Sequence, residues 1–140
     1  MRRTVLPASA VIAGLLMASM PIAAHHGRGD TYNNAKTATS KAVVTEFDYS
    51  NPHVRIYFDT TDEAGNVTNW SGEMANVSQF VRAGWTKKKM EAELKPGTVV
   101  TLTYRISTVP AQPGKGASIV TRILNAKGEI VGLERGNGGE

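Results

Sequence analysis

Three histidines, His25, His26 and His53, are the side chains of this chain best suited to hold a transition metal. The first two stand in "PIAAHHGRGD", where a leader peptide ends by its pattern. Cleavage after Ala24 makes His25 the N-terminus, and its α-amine and imidazole then chelate one ion together. A further imidazole, from His26 or His53, completes a nitrogen-rich plane, and tetragonal nitrogen sites suit Cu(II). Cleavage after Ala23 instead starts the chain Ala24-His25-His26. The third-position histidine then chelates Cu(II) through the amine, two amides and the imidazole. In either register binding displaces a proton from an amine of ordinary pKa about 7.7–8.0, so affinity falls in acid. The plainer alternative is that His25 and His26 are polar residues of a loose arm, and that His53, after Pro52, bonds its own turn.

A second group is Arg55, Tyr57 and Trp70. In "HVRIYFDTT", Val54, Ile56 and Phe58 face one way and Arg55, Tyr57 and Asp59 the other, the mark of a half-buried strand. An aromatic beside a basic residue on an outer strand face can stack a base or a sugar. Against that stands a plain solvated face, and Trp70 on its strand reads as core. Glu73 and Asp59 are not brought together by spacing as an acid–base pair. No nucleophile motif, P-loop or metalloprotease helix is present, so the reading is a binding protein rather than an enzyme.

The elements that would position these residues can be read in order. Residues 25–40 are polar and lack apolar periodicity, which suggests a flexible arm. "KAVVTEFDY" (41–49) is a strand with Val43, Thr45, Phe47 and Tyr49 on one face. "SNPH" turns into the strand holding Arg55 and Tyr57. "DEAGN" is a hairpin connection, and "VTNWSGEM" (67–74) returns with Thr68, Trp70 and Met74 on one side. Gly72 between them marks a bulge or a close approach. The period then becomes helical: Asn76 is a cap, Gly84 a stop, and Thr86 caps a second short helix through Leu94. "TVVTLTYRIS" (98–107) is a strand with Val100, Leu102, Tyr104 and Ile106 on one face. After a Pro- and Gly-rich loop come "ASIVTRILNA" (117–126) and a last short strand, "IVGL" (130–133). The tail from residue 134 reads as disordered.

Composition narrows the class. Met1-Arg2-Arg3, an apolar stretch and small residues before His25 form a secretory signal peptide over residues 1–24, of the ordinary Sec type. The mature chain is then a periplasmic domain of 116 residues, long enough to bury a core. The net charge of +4 drops to +2 when the leader takes two arginines. So low a charge, in an exported protein, argues against nucleic acid, and no span remains once the leader is removed. There is no cysteine, which excludes disulfides, thiolate metal sites and thiol catalysis.

"AHH" at the mature start, then "NPHVRIYFD", "GNVTNWSGEM", "RAGWT" and "LKPGTVVTL", resemble a family of small exported bacterial proteins of unknown function. Its members open A-H-H-S, and carry N-P-H before an alternating strand, a W-x-x-E strand, a G-W-T helix turn and a K-P-G-D turn. The chain departs from this at Gly27 and Thr98, and Trp70 is followed by Ser71-Gly72-Glu73. The resemblance covers most of residues 24–125 and implies an exported β-barrel but no activity.

Three strands, a helical segment, then two or three strands predict a mainly β fold. The expected architecture is a small OB-like barrel of five to six antiparallel strands over residues 41–133, with the helices between strands three and four. In OB barrels strands two and three form the ligand face. The chain is therefore expected to be a periplasmic binding module for a small ligand or protein partner, with its site near Arg55, Tyr57 and Trp70. The alternative is a copper-binding protein that uses His25, His26 and His53.

Overall fold

The computed structural model describes residues 36–108 and 115–134, and the expectations for the leader, for residues 25–35 of the arm and for the tail beyond Glu134 lie outside them. The described chain forms β1 (Thr37–Asp48), β2 (Arg55–Thr61), β3 (Val67–Glu73), α1 (Val77–Arg82), α2 (Lys87–Glu93), β4 (Val99–Ile106) and β5 (Lys115–Leu124). The strands close into a barrel in the order β1-β2-β3-β5-β4, with both helices between β3 and β4. This is the mainly β, OB-like plan expected.

Four strand contacts are antiparallel, but β3 and β5 pair in parallel and so close the barrel. Among the described residues there are five strands, within the expected five to six; residues 130–133, expected as a last short strand, contribute one bridge, Leu124 to Ile130. β1 starts four residues before the expected strand, so the last part of the supposed arm, Thr37 to Ser40, is paired with β4.

The barrel interior explains which residues alternate inward. On β2 and β4, Ile56, Phe58, Val100, Leu102 and Tyr104 are buried, as their spacing requires. β1 does not keep one phase. Its register against β2 slips between Val44 and Glu46, leaving Thr45 as an extra residue. Ala42 and Val44 therefore point inward before the bulge, whereas Phe47 packs against the core after it. Val43, expected on one face with Phe47, is 42% exposed, whereas Phe47 packs against the core. A second slip, opposite Thr103 and Tyr104, makes Thr121 the extra residue of β5, and its hydroxyl donates to the Thr103 carbonyl. The bulges bend the strands around a small barrel whose interior is filled by side chains.

Large and small residues alternate around that interior. Trp70 lies beside Gly116 across the parallel seam, and Gly72 lies between Ile56 and Ser118. A Cβ on Gly72 would stand 2.5 Å from Val120 Cγ2, so the glycine marks a close approach. No register shift occurs in β3, which removes the bulge alternative.

The helices contribute buried side chains to the same core. Asn76 accepts from the Gln79 amide at 2.9 Å, and the Gln79 side chain accepts from the Asn76 amide, a capping box that satisfies two end donors. Thr86 caps α2 with a single bond, its hydroxyl accepting from the Lys89 amide, and Gly84 ends the first helical stretch. Phe80, Met90 and Leu94 are fully buried beneath them. The Tyr49 hydroxyl donates to the Trp85 carbonyl at 2.8 Å, and burial raises its pKa. Asn76→Ala removes one arm of the capping box. It is expected to lower stability by about 1 kcal/mol, read as a shifted urea midpoint at unchanged slope. A midpoint identical to wild type would show that the cap contributes nothing.

The hairpin between β2 and β3 is held by one carboxylate. Asp62 accepts from the Asn66 side chain and from the amides of Asn66 and Ala64. These bonds, the Asn66 side chain foremost, lower its pKa. A lowered folded pKa contributes stability above the ordinary aspartate pKa, and that contribution is lost as pH falls through the folded value. A carboxyl-carbon NMR titration is expected to place the Asp62 midpoint below that of Asp62 in a peptide covering the hairpin. Equal midpoints would refute the assignment.

Candidate binding face

The outer side of the barrel over β1, β2, β3 and β5 carries three rows of side chains set by register. The first runs Asp48, Arg55, Glu73; the second Glu46, Tyr57, Ser71, Ala117; the third Asp59, Asn69, Lys115. Alternation on each strand fixes the rows. Because Phe47, Ile56, Phe58, Trp70 and Gly72 turn inward, their neighbours turn out.

The first row is internally paired. Arg55 Nε lies 3.9 Å from Asp48 Oδ2, and His53 Nδ1 lies 2.9 Å from Glu73 Oε1. The groups are about a third exposed or more, so these pairs order the face more than they stabilise the fold. In the third row Asn69 donates its side-chain amide to Asp59.

Two clefts open on this face. One, of about 250 Å³, is bordered by His53, Arg55 and Glu73. The other, of about 510 Å³, is bordered by Glu46, Tyr57, Asp59, Asn69 and Lys115. They share Ser71 and Ala117 and so meet over the β3–β5 seam. The cause is side-chain size: Ser71 and Ala117 are small, and the longer side chains on either side stand up as walls.

The structure separates the expected ligand residues. Arg55 borders the smaller cleft, while Tyr57 and Trp70 border the larger. Tyr57 stands on the outer face. Trp70 belongs to the inner one: its indole lies 5.2 Å from the Tyr104 ring and 6.3 Å from that of Phe58, and Nε1 donates to Thr60 Oγ1 at 2.9 Å. Trp70 is half-buried, packed against the core, and still borders the cleft that Tyr57 borders, whereas Arg55 borders the other. Glu46, Lys115 and Ala117 were not singled out by the sequence. The only signal for the last two was a pair of small residues, Gly116 and Ala117, opening a strand after a Pro- and Gly-rich loop.

Of the metal candidates, His25 and His26 lie outside the described residues. His53 sits at the entry to β2 and meets one carboxylate, that of Glu73. Among the described residues no three His, Asp or Glu side chains converge as a metal site, and no helix is long and apolar enough to cross a membrane. The copper expectation therefore turns on the two N-terminal histidines.

Comparison with known families matches residues 12–120 to a family of unknown function (DUF6152), and the chain belongs to it. No curated protein matches the chain.

Proposed function

We propose that this DUF6152 member is an exported periplasmic binding module, whose ligand, a small molecule or a short segment of a partner, lies in the larger cleft beside Tyr57. The observation that carries this reading is the cleft of about 510 Å³ on the β2–β3 side of the barrel, extended over β5. Its volume falls within the range of small-molecule sites. OB barrels place their ligands on this face. Export rests on the basic, apolar and small residues of the first 24 positions.

The test is an amide-resolved NMR titration of the mature protein with a library of small polar compounds. Hits are expected to shift the amides of Tyr57, Ser71 and Ala117. In Ala117→Trp, which fills the floor of the cleft from outside the core, affinity for the same compounds is expected to fall at least about tenfold, with the melting temperature within a few degrees of wild type. Hits that map elsewhere and survive Ala117→Trp would overturn the reading.

A further inference from the structure

We infer that the larger cleft is built for a small zwitterion, an organic ligand with an ammonium group at one end and a carboxylate at the other. This inference rests on the binding reading above and adds the chemistry of the ligand. The charged groups of this face fall into two sets. Asp48, Arg55, His53 and Glu73, beside the smaller cleft, have partners in one another. Asp59 accepts from Asn69. By contrast, among the described residues the Glu46 carboxylate and the Lys115 ammonium, which border the larger cleft, have neither an ion-pair partner nor a side-chain hydrogen bond. The two are also on opposite walls. Glu46 is on β1 and Lys115 on β5, with β2 and β3 between them.

Strand spacing sets the reach. Three strand-to-strand steps of about 4.8 Å put the two strands about 14 Å apart along the sheet. Less what the two side chains cover by leaning inward, the remaining gap fits a molecule one or two extended residues long, at about 3.5 Å per residue. The floor under that gap is Ser71 and Ala117, low enough to admit a ligand backbone. Tyr57 is the register partner of Glu46, so an ammonium drawn to the Glu46 carboxylate also meets a phenol ring, whose face attracts cations. Asp59 adds a second negative charge on the β2 wall. The ammonium end therefore belongs over β1 and β2 and the carboxylate end beside Lys115. An anion alone would meet two carboxylates in the same cleft. A cation alone would leave Lys115 unused.

The experiment uses the dipeptide Ala-Ala as probe, with its N-acetyl and C-amide derivatives, on wild-type protein, Glu46→Gln and Lys115→Met. The free dipeptide is expected to shift the Tyr57, Ser71 and Ala117 amides, and each cap to weaken binding about three- to tenfold. N-acetylation should make no further difference in Glu46→Gln, nor amidation in Lys115→Met. The loss on capping should shrink as salt rises. If the three compounds shift the cleft amides equally, or if none shifts them, the zwitterion inference is overturned. The compound library judges the cleft itself independently. Both substituted side chains are exposed and, among the described residues, make no ion pair or side-chain hydrogen bond, so both variants are expected to fold.

Discussion

Phe58→Ala is expected to cost about 3–5 kcal/mol of folding stability, the range for removing a buried aromatic ring from a packed core. Phe58 is fully buried at the centre of β2. Its ring meets Tyr104 edge-on, with centroids 5.3 Å apart, and lies nearly parallel to Trp70. Truncation therefore removes apolar area, leaves a cavity between two rings that cannot both collapse into it, and forfeits two aromatic contacts. Small domains have only about 5–15 kcal/mol in all, so the variant should be close to unfolded at moderate temperature. Urea unfolding followed by tryptophan fluorescence reads this directly, because Trp70 is itself a contact. Val99→Ala is the control: Val99 is 52% exposed on β4, and its loss should stay within about 0.5 kcal/mol. A cost for Phe58→Ala no larger than that of Val99→Ala would mean that the barrel is not packed around this ring. Tyr57 and Asp59 flank Phe58 on the outer face, so the same substitution should also loosen the cleft.

The parts of this fold that a period of two governs are legible in the sequence. The strands around Ile56–Phe58 and Val100–Tyr104 alternate without interruption, and both helix caps carry their usual side chains. Arg55 and Tyr57 were rightly placed outward for the same reason. Legibility failed where the period breaks. Val43 and Val44 are adjacent and equally apolar, so the residues decide between them only if one phase runs through β1. Thr45 interrupts that phase, and no local feature announces it. β5 has the same difficulty, since Ile119, Val120 and Ile123 do not share one parity and Thr121 is the extra residue. The cleft was less legible still. It is made by a parallel pairing between residues 46 positions apart, Ser71 with Ala117, and no turn sets that register. Glu46 and Lys115 become opposite walls only once that seam is closed. Trp70 was read as core and also grouped with the ligand residues. Its hydrogen bond to Thr60 and its ring contacts pack it against the core, while it stays half-buried and borders the larger cleft.

That seam gives the second large effect. Gly116→Ala is expected to destabilise the barrel by about 3 kcal/mol, at or above the upper end of ordinary overpacking. The added methyl would stand 2.1, 2.2 and 2.6 Å from Cε3, Cζ3 and Cδ2 of Trp70, where real Cβ contacts essentially never fall below 3.0 Å. These are atoms of a fused ring, not the tip of a flexible chain. The ring is held on its other sides by Phe58, Tyr104 and the bond from Nε1 to Thr60 Oγ1 at 2.9 Å. To clear the methyl the indole must move by most of an ångström, which strains that hydrogen bond and opens space beside the neighbouring rings. Gly72→Ala provides the contrast. Its added methyl would stand 2.5 Å from one Val120 methyl and 3.1 and 3.2 Å from Phe58 and Ile56, one close clash rather than three with a fused ring, and it should cost less than Gly116→Ala. The mechanism at Gly116 is separable from any general intolerance of the strand by a double-mutant cycle with Trp70→Leu. Trp70→Leu alone loses ring packing. In its presence, however, Gly116→Ala has no indole to displace and fills vacated volume, so the double variant should be more stable than the sum of the two losses by about 1–3 kcal/mol. Additive losses would mean that the glycine is required for the backbone of β5 rather than for the indole beside it.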